Sequence, residues 1–324
     1  MKAVLCTEHG GEDHLVLADV DEPVAGPGEA VVRVHAAALN FFDTLIIRGK
    51  YQFKPELPFS PGGEMAGTVE SVGEGVDRLK PGDRVVGYLG WGCCREKVVA
   101  PEDQLIVLPD GVDFETASGL IIIYGTTLHA LEERASLQPD ETLVVLGASG
   151  GVGQAAIELG KILGARVIAC ASSEDKLDFC RSLGADDLVN YADGDLKQRL
   201  KDLTDGAGVD VVYDPVGGDH AEQALRALTF GGRFLVIGFA SGEIPKIPLN
   251  LVLLKGIDVR GVFWGEAVAR DPDRHRESIS RLLGMVADGA LKPHIHATYL
   301  LDEVPEALSE IRERRVKGKV VITP

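Results

Sequence analysis

Cysteine is scarce in this 324-residue chain, and the five present (Cys6, Cys93, Cys94, Cys170, Cys180) follow no regular spacing. A disulfide framework is therefore not expected, and the pattern suits a reducing cytoplasm. Cys93 and Cys94 are adjacent, so they cannot wrap one tetrahedral ion; they read as small hydrophobes. The one close histidine pair, His294 and His296, has no carboxylate or cysteine company and would share a face of a strand in a structural role. No metal site is expected. Positive charge is also in deficit, with 33 Lys and Arg against 50 Asp and Glu and a net charge of −17. Such a chain repels phosphate backbones, so nucleic acid is not an expected partner. The single basic cluster, Arg312 to Lys319, reads as a solvated helix end. Long apolar runs are missing too: the longest, Gly119 to Tyr124, falls far short of the roughly 20 residues that span a bilayer. Met1 to Leu5 is too short for a secretory core, and no membrane partner is expected. No repeats or low-complexity tracts appear. What remains is ordinary for a folded chain, 45% apolar and 26% charged, long enough for two domains.

The chain is organised around Leu143-Val144-Val145-Leu146-Gly147-Ala148-Ser149-Gly150-Gly151-Val152-Gly153. A short β-branched run breaks at glycine and resumes with Ala156, Ile157, Leu159, Ile162 and Leu163 at helical spacing; a second apolar run, Arg166 to Cys170, follows. That is the strand–turn–helix–strand of a parallel crossover. Glycine lets the backbone pass close to a ligand, and the helix N-terminus offers free N–H groups to an anion. The pattern predicts a dinucleotide site, with Ser149, Gly150, Gly151 and Val152 at the pyrophosphate.

A diol-binding carboxylate would stand at the tip of the second strand. Here the strand ends in Ala171-Ser172-Ser173, followed by Glu174, Asp175 and Lys176. Small hydroxyls and a lysine one helical turn on suit a 2′-phosphate, which predicts NADPH. Ser172 with Asp175 fits an N-cap box, making the acids first-turn charges; Glu174 is the counter-observation.

Residues 1–120 read as β-rich, with strands at Ala3–Leu5, Leu15–Leu17, Ala30–His35, Met65–Gly73, Arg84–Tyr88 and Glu96–Ala100 between Gly/Pro turns, a barrel-like unit. Residues 121–265 alternate helix and strand: a helix over Ala117–Leu131 leads in, and strands follow at Asp187–Asn190, Val209–Asp214, Gly232–Gly238 and Asp258–Phe263. This is an α/β chain with a doubly wound parallel sheet. Residues 266–324 carry helices at Asp273–Asp288 and Val304–Arg315 and a strand at Lys319–Ile322, expected to return to the first domain. Phe234–Ile237 and Val259–Phe263 are placed near the sheet edge, where a homodimer would cover them.

Several stretches together resemble the medium-chain dehydrogenase/reductase superfamily, and within it the quinone oxidoreductase (zeta-crystallin-like) branch. They are Asn40-Phe41-Phe42-Asp43, Pro61-Gly62-Gly63-Glu64-Met65-Ala66-Gly67, Val72-Gly73-Glu74-Gly75-Val76, Pro81-Gly82-Asp83-Arg84-Val85, the glycine turn, Leu183-Gly184-Ala185-Asp186, Asp214-Pro215-Val216-Gly217-Gly218 and Gly318-Lys319-Val320-Val321. The resemblance runs end to end. It implies a GroES-like β-barrel catalytic domain beside a Rossmann NADPH-binding domain. Zinc-dependent relatives carry a Cys-His pair where Asn40-Phe41 stands and a His in place of Gly63, and they add a four-cysteine lobe. An amide, a phenyl and a glycine do not replace such ligands, so a zinc-independent enzyme is implied.

The resemblance further implies that Thr127 and His129 approach the nicotinamide half, that Ser172, Lys176 and Tyr191 surround the 2′-phosphate and adenine, and that Val216, Gly238, Phe239 and Ala240 line the ribose edge. Phe263, Trp264 and Lys319 close over it. The expected acceptor is a small electrophile, a quinone or an activated C=C, since no Lewis acid is available to polarise a plain carbonyl. Charge then develops on the acceptor oxygen and needs a donor and a proton source. Asn40 serves as a donor to the nicotinamide ribose or the acceptor oxygen, or else caps a turn. The branch often has a tyrosine where Leu45 stands here, leaving Tyr51 and Tyr124, or water, as proton sources. Two alternatives stay open: an enoyl-thioester or haloacrylate reductase, and a weakly catalytic NADPH-binding, crystallin-like protein.

Overall fold

The computed structural model describes all 324 residues. The chain forms two compact units, Met1–Ile122 with Arg270–Pro324, and Ile123–Ala269. In the first, β1 (Lys2–Cys6) and β2 (Leu15–Asp19) form a hairpin of their own. Then come β3 (Glu29–Leu39), the short helix α1 (Phe41–Ile46), β4 (Glu64–Val72), β5 (Arg84–Tyr88), β6 (Lys97–Pro101), β7 (Leu105–Val107), α2 (Phe114–Ser118) and the start of α3 (Ile121–Leu128). Alternating apolar residues on these strands turn inward, so Val4, Leu39, Ile46, Met65 and Val85 share one core.

The second unit begins within α3. A π-helical stretch, His129–Arg134, follows, then β8 (Thr142–Leu146), α4 (Gly151–Ile162), β9 (Arg166–Ala171), α5 (Glu174–Ser182), β10 (Asp187–Asn190) and α6 (Leu196–Asp202). Next are β11 (Val209–Asp214), α7 (Asp219–Ala227), β12 (Leu228–Val236), α8 (Leu249–Lys255), β13 (Asp258–Gly261) and α9 (Trp264–Arg270). The six strands are all parallel, in the order β10-β9-β8-β11-β12-β13. Their near-continuous apolar character follows from helices covering both faces. Order reverses between β8 and β11, which leaves a crevice at the strands' C-terminal ends.

The tail rejoins the first unit through α10 (Pro272–Ala287), β14 (Ile295–Leu300), α11 (Val304–Arg312) and β15 (Lys319–Thr323). β15 runs antiparallel to β3, pairing Val321 with Ala38, and β14 extends the sheet to the order β14-β15-β3-β4-β5-β7, with β6 also on β3. Ile322 and Val320 enter the core that Leu39 begins.

Sequence pattern located β5, β10 and β11 to the residue and most other elements to within a few positions. Four expectations are corrected. The helix over Ala117–Leu131 is three pieces, broken at Gly119 and changing to π winding at His129. Phe234–Ile237 lies one strand in from an edge: β12 is paired on both sides, Phe234 and Leu235 are buried, and the two edges belong to β13 and β10. His294 lies before β14, its carbonyl accepting from the Lys319 amide, so the two histidines are not residues of one strand face. The strand holding His296, β7 and the short helices α1, α8 and α9 were not expected, because three to seven residues are too few to show a period.

Candidate active site

In the first unit the chain leaves β3 at Asn40 and enters α1. Asp43, three residues on, reaches back to accept the Asn40 amide hydrogen at 2.7 Å and takes the Gly62 amide at 3.0 Å with its other oxygen. Asn40 is the N-cap of α1 with Asp43 as its capping-box partner, so the turn-cap alternative stands. The Asn40 Nδ2 also donates to Glu64 Oε1 at 2.9 Å, and its Oδ1 accepts from Lys319 Nζ at 2.7 Å. The carboxylate can only accept and the ammonium can only donate, so the amide is held in one orientation. Lys319, 2% exposed, completes its set with Glu64 Oε1 at 2.7 Å and the Leu39 carbonyl at 2.9 Å. The second Glu64 oxygen accepts from the Ile122 amide at 2.8 Å.

Three acceptors use the three hydrogens of an ammonium. Lys319 therefore has none left for a coenzyme, which corrects its expected role: it positions Asn40. The Asn40 amide, 8% exposed, keeps one N–H uncommitted. Burial pushes the Asp43 carboxyl up to about 7. Tyr51 stacks on Phe42, the ring centroids 5.4 Å apart, and burial followed by the Asp43 charge raises its phenol above the ordinary value. Glu64 and Asp43 were absent from the expected site residues. The signal was an acid at a buried strand position, flanked by Gly63 and Met65.

In the second unit the candidate residues follow the C-terminal ends of all six parallel strands, and so lie along one edge. Gly147 after β8 has φ of +58°, and a Cβ there would meet Val216 Cγ2 at 2.8 Å. A Cβ on Gly153 would come within 2.5 Å of the Gly147 and Ala148 carbonyl oxygens, so only glycine lets α4 start this close to its strand. Ser149, Gly150, Gly151 and Val152 thus sit at the α4 N-terminus; the Gly150 N–H donates to the Gly147 carbonyl at 3.0 Å, and the first-turn N–H groups from Gly151 on, with the helix dipole, favour an anion.

After β9, Ser173 rather than Ser172 occupies the N-cap of α5, and its side chain makes no cap bond. The Ser172–Asp175 box is not formed. Ser172 stays at the strand tip with its hydroxyl 3.4 Å from Lys176 Nζ, while Glu174 accepts from Asn190 Nδ2 at 3.5 Å. Tyr191 follows β10, its ring 4.4 Å from that of His220. After β11, buried Asp214 accepts from the Val216 and Gly217 amides and shapes that turn. After β12, Gly238 and Ala240 bond back to the Asp214 and Pro215 carbonyls, and Phe239 packs over Gly217. Phe263 and Trp264 follow β13; Phe263 is exposed and Trp264 is buried as α9 begins.

Three expected residues have other commitments. The Thr127 side chain is fully buried, donating to the Ile123 carbonyl at 2.8 Å and sharing a hydrogen bond with the Tyr213 hydroxyl. It offers a ligand no surface. His129 pairs with Glu133 in the π-helical turn at 2.9 Å. Tyr124 is fully buried and donates to Glu158; burial and that carboxylate raise its phenol well above the ordinary value. A phenol so held is not a proton source, so Tyr124 is withdrawn as a catalytic candidate.

Residues 26–110 match the family described as alcohol dehydrogenase GroES-like domain, and residues 151–284 match zinc-binding dehydrogenase. A quinone oxidoreductase-like protein 2 homolog of Nematostella vectensis is 41% identical over 325 residues, covering 99% of this chain and 88% of that protein. The chain belongs to the quinone oxidoreductase branch of the medium-chain dehydrogenase/reductase superfamily. The quinone oxidoreductase of Pseudomonas aeruginosa is 34% identical, covering 100% of this chain and 99% of that one. Among solved structures, Escherichia coli quinone oxidoreductase, complexed with NADPH, superposes with a TM-score of 0.93 at 30% identity over 100% of both chains.

This member's residues fit a dinucleotide and do not fit zinc. The glycine turn is a cradle that a Cβ would fill. At the β3–α1 and β4 junctions stand Asn40, Phe41, Gly63 and a Glu64 already bound to Lys319, and no group of three or more His, Cys, Asp or Glu side chains converges to hold a metal ion.

Proposed function

We propose that this protein is a zinc-independent, NADPH-dependent oxidoreductase that reduces a small electrophile, a quinone or an activated C=C. The observation that carries the reading is the Asn40 amide, locked between Glu64 and Lys319 with one N–H uncommitted, in an oxidoreductase family member that has no zinc ligands at that place. When bound, NADPH supplies the hydride. The chain's own residues do the rest. The turn Ser149 to Val152 holds the pyrophosphate, with the Gly151 and Val152 N–H groups facing it while the Gly150 N–H is spent on the Gly147 carbonyl. Ser172 and Lys176 hold the 2′-phosphate, since the Glu174 carboxylate that would favour a free diol is engaged by Asn190. Tyr191, Val216, Gly238, Phe239 and Ala240, with Phe263 and Trp264, line the coenzyme along the strand ends. The Asn40 amide donates to the acceptor oxygen as charge grows there or to the nicotinamide ribose, and Tyr51 or water returns the proton.

The preformed orientation of Asn40 is the catalytic asset, because a donor already fixed costs no reorganisation during the reaction. Turnover of NADPH with 1,4-benzoquinone and with a small enone, in enzyme treated with a chelator, tests the reading. Chelator-resistant turnover that falls in Asn40→Ala supports it. Tight NADPH binding without turnover on either acceptor sinks it.

We also infer a cytoplasmic homodimer. The five cysteines are buried free thiols, and no helix is long and apolar enough to cross a membrane. The edge strand β13 and the neighbouring α8 expose Val259, Leu249, Leu253 and Leu254, the last two by 81% and 72%. So much apolar surface beside an unpaired strand edge suits coverage by a second copy.

A further inference from the structure

The first unit holds a cavity of about 580 Å³ whose walls include Pro55, Pro58, Phe59, Leu89, Trp91 and Arg95. None of these is among the coenzyme-edge or Asn40-network residues. Its volume lies within the range of small-molecule sites, and its walls set proline and aromatic side chains beside one guanidinium, with polar groups making up the larger part of the exposed lining. That guanidinium is anomalous. Arg48, Arg166 and Arg233, which are also partly buried, each pair with a carboxylate: Glu12, Asp187 and Glu141. Arg95 pairs with none, and its Nε is buried with no hydrogen-bond partner. A shortage of acids is not the cause, since the chain carries 50 acids to 33 bases.

The neighbouring titratable groups do not compensate. The charges that bear on Arg95 are the thiols of Cys93 and Cys94, which burial pushes up and keeps neutral. Glu56 lines the cavity from an exposed position without reaching Arg95, and Ser60 spends its hydroxyl on the Cys94 carbonyl at 3.1 Å. The arginine is not loose either. Its backbone bridges Ala3 and its amide bonds the Cys93 carbonyl at 2.8 Å, so the side chain leaves a fixed point.

We propose that this cavity binds a small organic monocarboxylate with an apolar body. The guanidinium fork matches a carboxylate with two parallel hydrogen bonds, and the Trp91 indole, with Phe59 and Leu89, covers the hydrocarbon. Glu56 at the wall repels more highly charged anions and selects a single negative charge. The site is independent of the reductase reading and does not require turnover.

The test is a titration of the full chain with benzoate, benzamide and inorganic phosphate, followed by calorimetry and indole fluorescence. Trp91, 39% exposed, is one of only two tryptophans. One equivalent of benzoate should bind at least about tenfold more tightly than benzamide, and Arg95→Gln should abolish that preference. Trp91→Ala should weaken benzoate and remove its fluorescence change. Equal affinity for acid and amide, no saturable benzoate binding, or unchanged affinity in Arg95→Gln would overturn the proposal. Tighter binding of phosphate than of benzoate would overturn the carboxylate assignment. Should Arg95→Gln fail to fold, the acid-to-amide ratio in the natural chain together with Trp91→Ala decides the matter.

Discussion

Lys319 Nζ lies 2.7 Å from Asn40 Oδ1, a contact between residues 279 positions apart. The same ammonium lies 2.7 Å from Glu64 Oε1. A lysine on the last strand thus sets the orientation of an amide at the end of β3, and the buried carboxylate of β4 holds both.

Removing one partner leaves an uncompensated buried charge. Lys319→Met should destabilise the protein by about 3–5 kcal/mol. Glu64→Gln added to it should cost less than the sum of the single changes, with a coupling of about 1–3 kcal/mol. Denaturant unfolding of the four proteins measures the cycle. Additive effects would show that the network is not a unit.

Asp43 gives the stability a pH signature. Its folded pKa is about 7, above the ordinary carboxylate value, so between roughly pH 4 and 7 the native state binds a proton that the unfolded chain does not. Its contribution is present below the unfolded pKa and is lost as pH rises through 7. Relative to Asp43→Asn, the natural protein should therefore lose on the order of 3 kcal/mol across that window. Parallel stability curves for the two proteins would rule out the raised pKa.

Coenzyme choice rests on Ser172 and Lys176. Lys176→Glu should raise the KM for NADPH at least about tenfold and leave that for NADH little changed, since it removes a partner of the 2′-phosphate and introduces a like charge. Equal effects on both coenzymes would remove this role.

Gly153→Ala tests the cradle. Its Cβ would stand 2.5 Å from two carbonyl oxygens, so α4 must shift away from β8. A stability loss of about 1–3 kcal/mol and weaker NADPH binding are expected together, by thermal unfolding and by fluorescence titration. Normal binding in a stable variant would contradict the close approach.

The dimer is tested by Leu253→Arg on the exposed face of α8. Light scattering should show a dimer for the natural chain and a monomer for the variant. A natural chain that is already monomeric at micromolar concentration would refute the interface.

Local pattern sufficed wherever a property is carried by neighbours in sequence. The glycine turn and the succession of strand and helix in the second unit are of this kind, because side-chain period and backbone freedom are local quantities. Folding was needed wherever the partner is distant. No spacing could reveal that Lys319 spends its ammonium on residues 39, 40 and 64, that Tyr124 and Thr127 face inward, or that Ser173 takes the cap and leaves Ser172 beside Lys176. Hydrogen-bond saturation and burial belong to the assembled chain, and they decided which of the expected residues remain able to meet a ligand.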